Sequence, residues 1–106
     1  MTLFKEKHDL IKKIHDIKEK NLSIGLVPTM GALHKGHLSL VEISLEENDF
    51  TIVSIFINPT QFNDKEDLAA YPKNLTEDCN YLEAISSDII IFAPEITDIY
   101  DKNISV

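Results

Sequence analysis

Leu10, Ile14 and Ile17 recur at helical spacing within a charged stretch, which predicts an amphipathic surface helix from Thr2 to about Asn21. Ile24 to Val27 reads as a short apolar strand that stops at Pro28, whose ring removes a backbone donor. After the loop from Thr29 to Gly36, residues Leu38, Val41 and Leu45 mark one face of a second helix. Thr51 to Ile57 is β-branched or aromatic except for Ser54, as expected of a strand buried on both faces of a parallel sheet, and Asn58-Pro59 ends it. Gln61 to Lys73 is polar and contains Pro72, which predicts a long loop with a helical turn around Glu66 to Ala70. Asn74 with Glu77 resembles a capping box that opens a helix through Leu75, Asp78, Leu82 and Ile85. Asp88 to Ala93 is the third strand, closed by Pro94.

Strands alternating with helices predict an α/β fold, a Rossmann-like parallel sheet with flanking helices and right-handed crossovers. With three expected strands the sheet is incomplete in this chain. The 106 residues, 43% hydrophobic and 26% charged, suit a single domain. Eighteen acidic against 10 basic side chains give a net charge of -8 without a basic patch, which disfavours nucleic acid. Cys79 is the sole cysteine and reads as a thiol packed in a helix, since nothing around it marks an activated nucleophile. The charged start, Lys5 to Asp9, and the lack of any apolar run long enough to span a bilayer lead to the expectation of no membrane and a cytoplasmic location.

The candidate chemistry lies in Pro28-Thr29-Met30-Gly31-Ala32-Leu33-His34-Lys35-Gly36-His37, which runs from a strand end into a helix start. Unpaired amides and the positive end of the helix dipole favour a phosphate there, and glycines permit close approach. His34 and His37, three residues apart, can address one site. Imidazole donors aimed at an α-phosphate stabilise charge that develops as pyrophosphate leaves. Two histidines also suit a metal pair, but no third protein ligand accompanies them, so no metal site is expected.

Pro28 to His37, taken with Ser54 to Phe62, Glu66-Asp67, Tyr71-Pro72 and Phe92-Ala93-Pro94, strongly resembles the pantothenate synthetase family, with similarity from about Ile24 to Tyr100. The resemblance implies a two-step reaction in which pantoate and ATP give pantoyl adenylate and pyrophosphate, and β-alanine then displaces AMP. Magnesium is implied as the companion of ATP. Met30, Gly31, Ala32, Leu33, His34, Lys35, Gly36 and His37 match the family's ATP-binding segment, with His37 as proton donor and His34 as phosphate contact. Gln61 matches the glutamine that contacts pantoate near the β-alanine site. Pro28, Met30 and Phe62 are expected to meet the gem-dimethyl group of pantoate, and Asn58 to orient that pocket.

Weaker candidates have plainer explanations. Lys35 between the histidines suits a solvated side chain as well as a phosphate contact, and His8 and His15 suit a helix surface. Tyr71 and Asp67 match positions at the family's active-site rim, where loop ordering explains them equally. Lys73 stands where family members often carry arginine, so a bidentate phosphate role does not carry over.

Family members are longer and commonly dimeric. Residues 1–106 are therefore expected to be the amino-terminal part of the nucleotide-binding domain, with the carboxy-terminal domain absent and a homodimer formed by the full-length protein. Two rivals stand beside this reading. One is another nucleotidyltransferase with the His-x-Gly-His pattern, which the Pro28 to Gly31 lead-in argues against. The other is a non-catalytic fragment that keeps a phosphate-cradling fold.

Overall fold

The computed structural model describes residues 2–56 and 65–94, with the backbone alone for 65–74. The chain runs β1 (Thr2–Phe4), α1 (Lys7–Glu19), β2 (Ile24–Thr29), α2 (Lys35–Glu47), β3 (Phe50–Ile55), α3 (Lys65–Ile85) and β4 (Ile89–Phe92). Its four strands form one sheet in the order β1-β4-β3-β2, and every neighbouring pair is parallel. The expected α/β class with flanking helices is thus what the backbone adopts.

Apolar β3 and β4 occupy the middle of the sheet, where both faces are covered. One core joins Val27, Val53, Ile55, Ile89 and Ile91 to Val41 of α2 and to Leu75, Cys79 and Leu82 of α3. On the opposite face Ile52 and Ile90 pack with Leu10 and Ile17 of α1. This is the alternation of a pleated strand read out against two helix layers. Asn21 closes α1 at φ 59, and the Leu22 amide reaches back to the Ile17 carbonyl.

Several sequence expectations need correction. Thr2 to Phe4 is not helix but a strand, registered as Thr2 on Ile90 and Phe4 on Phe92. Leu3 and Phe4 lie in a three-residue strand too short to show its own period, and the partner that selects it is distant in sequence. Among the described residues the sheet therefore has four strands, where three were expected.

β2 continues through Pro28 to Thr29. The carbonyls of Ser23 and Thr29 both accept from β3 residues or the residue just after it, so odd-numbered residues face β3 and Pro28 directs its donorless nitrogen to the open edge. β3 ends at Ile55, β4 spans Ile89–Phe92, and Ile57 lies outside the described residues.

The expected loop through Lys73 is helical from Lys65 onward, and Asn74 lies within α3, where it cannot serve as an N-cap. Leu68, Ala69 and Ala70 favour helix, and Pro72 removes a single donor from a 21-residue ladder.

Candidate functional site

The carboxyl ends of β2 and β3 open into a shallow cleft of about 370 Å³ lined by Pro28, Thr29, Met30, His37, Ser54 and Phe56. Ligands of open parallel sheets collect at such strand ends. Met30, though large and apolar, is 63% exposed here, which leaves a surface for a ligand to cover.

Side chains fix the loop that follows β2. Thr29 Oγ1 donates to the Ser54 carbonyl at 3.0 Å and accepts the Gly31 amide at 3.2 Å, tying the strand end to the turn. Gly31 and Ala32 then adopt positive φ, 88 and 52. From α3, Asp78 accepts the Ala32 amide with Oδ2 and the Leu33 amide with Oδ1, both at 3.0 Å. Its carboxylate is buried beneath the loop.

His34 is the N-cap of α2. Its Nδ1 accepts the Gly36 amide at 3.0 Å, while His37 Nδ1 accepts the His34 amide at 3.2 Å. This is a capping box built from two imidazoles. The ring centroids lie 4.0 Å apart, with planes inclined by 38°. Because each Nδ1 is an acceptor, a ring in its neutral form holds its proton on Nε2, which then serves as its donor edge. Gly36 is needed for this arrangement, since a Cβ there would stand 2.9 Å from His34 Cε1 and 3.2 Å from Nδ1.

These contacts modify one expectation. At the helix start, where unpaired amides were expected, the amides of His34 and Gly36 are engaged by His37 and His34, and in the loop before it those of Gly31, Ala32 and Leu33 are engaged by Thr29 and Asp78. Nε2 of each imidazole then remains as a donor at the site. The structure brings Pro28, Met30 and His37 into the cleft and sets His34 beside His37, with Lys35 exposed at the start of α2. Gln61, Asn58 and Phe62 lie outside the described residues, and the side chains of Asp67, Tyr71 and Lys73 belong to the stretch described by backbone alone. His15 faces Glu19 at 3.0 Å on the surface of α1.

Asp78 is the residue that sequence reasoning missed. The signal was an acid standing on the Leu75, Leu82, Ile85 stripe, where only a partnered charge is tolerated.

A sequence profile described as Pantoate-beta-alanine ligase matches residues 2–106. The chain belongs to the pantoate–β-alanine ligase family. A pantothenate synthetase of Christiangramia forsetii is 53% identical over 104 residues, covering 98% of this chain and 37% of that protein. One of Flavobacterium psychrophilum is 48% identical over 101 residues, covering 95% of this chain and 36% of its own length.

Among solved ligase structures, that of Francisella tularensis complexed with beta-gamma ATP and β-alanine is 43% identical, with a TM-score of 0.69 over 99% of this chain and 40% of its own. Pantothenate synthetase from Thermus thermophilus gives a TM-score of 0.70 at 33% identity, covering all of this chain and 36% of its own. The chain therefore spans little more than a third of the length of these ligases.

Proposed function

We propose that this chain is the amino-terminal part of the nucleotide-binding domain of an ATP-dependent ligase that joins pantoate to β-alanine through a pantoyl adenylate. The observation that carries the reading is the pair of imidazoles, His34 and His37, locked through their Nδ1 atoms at a cleft on the carboxyl ends of β2 and β3. A donor aimed at phosphate oxygens stabilises the charge that grows as the pantoate carboxylate attacks and pyrophosphate departs. The Francisella relative complexed with beta-gamma ATP and β-alanine supports the same substrates.

In this reading Met30 to His37 receive ATP, with His37 as proton donor and His34 as phosphate contact. Pro28 and Met30 offer apolar contact to pantoate, while Gln61, Asn58 and Phe62 complete its pocket and approach β-alanine. In the same reading magnesium accompanies ATP as part of the substrate. The longer polypeptide works as a cytoplasmic homodimer, its later segments bringing further cationic and amide groups to the phosphates.

The test compares the 106-residue chain with a chimera in which it is followed by the remainder of the C. forsetii relative. Pyrophosphate release is measured with ATP, magnesium and pantoate. The chimera is expected to release pyrophosphate only when pantoate is present, and the chain alone to release none above background. Pantoate-independent or phosphopantetheine-dependent release would replace this reading with another nucleotidyltransferase. Nucleotide binding without turnover in either protein would favour the non-catalytic fragment.

A further inference from the structure

Asp78 lies on the buried side of α3 beside Leu75, Cys79 and Leu82, with 4% of its surface exposed. An ionised carboxylate in such a place is tolerated only when its oxygens are met by donors. Here each oxygen takes one of two consecutive amides, Ala32 and Leu33, from a loop 45 and 46 residues away in sequence. Two parallel bonds fix the direction of the loop as well as its position.

That loop has little local reason to hold its shape. Ala32 sits at φ 52, a left-handed conformation that an alanine side chain disfavours, directly after Gly31 at φ 88. Leu33 then leads straight into His34, so the placement of its amide sets the entry of the chain into α2 and the aim of both imidazoles. Thr29 restrains the loop at one end through Gly31, and Asp78 restrains it at the other.

We propose that Asp78 is a positioning residue of the nucleotide site: its carboxylate clamps the Ala32 and Leu33 amides and thereby aims His34 and His37 at the phosphates. The nature of the ligand rests on the proposed function, whereas the clamp rests on the loop geometry alone. Asparagine cannot replace the clamp, because its amide nitrogen opposes one of the two N–H groups.

The test uses amide hydrogen exchange by nuclear magnetic resonance and ATP titration on the 106-residue chain. Wild type is compared with Asp78→Asn and with Ile91→Val, which trims the core without touching the loop. In Asp78→Asn, at least one of the Ala32 and Leu33 amides is expected to exchange about tenfold faster, and ATP affinity to fall about tenfold, as fits the loss of one charge-assisted bond. Ile91→Val is expected to leave both unchanged. Wild-type protection and affinity in Asp78→Asn overturn the proposal, and so does an equal loss of affinity in Ile91→Val.

Should Asp78→Asn fail to fold, the wild type still decides. Ala32 and Leu33 amides that exchange as fast as unbonded surface amides would refute the clamp. If the wild-type chain binds no ATP, the titration is made on the chimera, where absence of binding counts against the proposed function, while the exchange arm continues to judge Asp78.

Discussion

His37 Nδ1 accepts the backbone N–H of His34 at 3.2 Å, so one histidine of the pair closes the helix turn that the other begins. The same residue lines the cleft at the strand ends. One side chain thus serves the fold with one edge and the proposed chemistry with the other.

Substitution at His37 separates those duties. In the chimera, His37→Ala is expected to raise the barrier to adenylate formation by about 2–4 kcal/mol, typical of a lost transition-state donor. It also removes a cap contact worth about 1 kcal/mol of stability. Asparagine offers a short side-chain oxygen to the His34 amide, so His37→Asn should recover the melting temperature and leave adenylate formation slow. Single-turnover measurement beside a thermal melt checks both, and near-wild-type adenylate formation in either variant would remove His37 from the chemistry.

At Gly36 helix propensity and function pull in opposite directions. Alanine suits a helix better by up to about 1 kcal/mol. Its methyl group, however, would crowd the His34 ring at 2.9 Å and drive it off the Gly36 amide. Gly36→Ala is expected to keep a melting temperature close to that of the wild type while ATP affinity falls several-fold, as read by calorimetry.

Gly25 presents a purely structural case. A Cβ at this position would fall on Ser44 Oγ and lie 2.7 Å from Asn48 Nδ2. Ser44 cannot readily yield, because its hydroxyl is buried against Thr51 Oγ1 at 2.6 Å. Gly25→Ala should therefore destabilise the chain by about 1–3 kcal/mol through overpacking of α2 on β2. Urea denaturation measures the loss, and an unchanged midpoint would contradict this packing.

Cys79 supplies a pH dependence. Burial first, and then the charges of Asp78 and Glu83, push its thiol pKa upward, against a smaller opposing effect of Lys5. The folded state thus favours the neutral thiol. Its contribution to stability is whole below the ordinary thiol pKa of about 8.5, declines above it as the unfolded chain ionises, and is gone once pH passes the raised folded value. Alkylation by iodoacetamide, followed from about pH 7 to pH 10, should rise later with pH in the folded chain than in urea. Coincident profiles would show that the thiol is not shielded.

Elements with a strong internal period were legible in the sequence. Leu38, Val41 and Leu45 located α2, and the run from Thr51 located a central strand because both of its faces are buried. The helix from Lys65 was missed locally, because Pro72 reads as a breaker, whereas two other failures were decided at a distance. Thr2 to Phe4 became a strand through β4, and Pro28 stayed in β2 because that strand is an edge.

The site divides in the same way. His34, Gly36 and His37 stood out because their spacing is local, whereas Asp78 reaches the loop only after the chain has folded. Its one trace in the sequence was its place on an apolar stripe.

The pairing of Thr2 with Ile90 joins the first described strand to the last. β2, in contrast, lies against β3, its successor in the sequence. Contacts of long sequence separation repay their loop-closure entropy late, which slows folding. The three-residue β1 thus raises the mean sequence separation of the contacts in this sheet well above what β2 and β3 alone would give it.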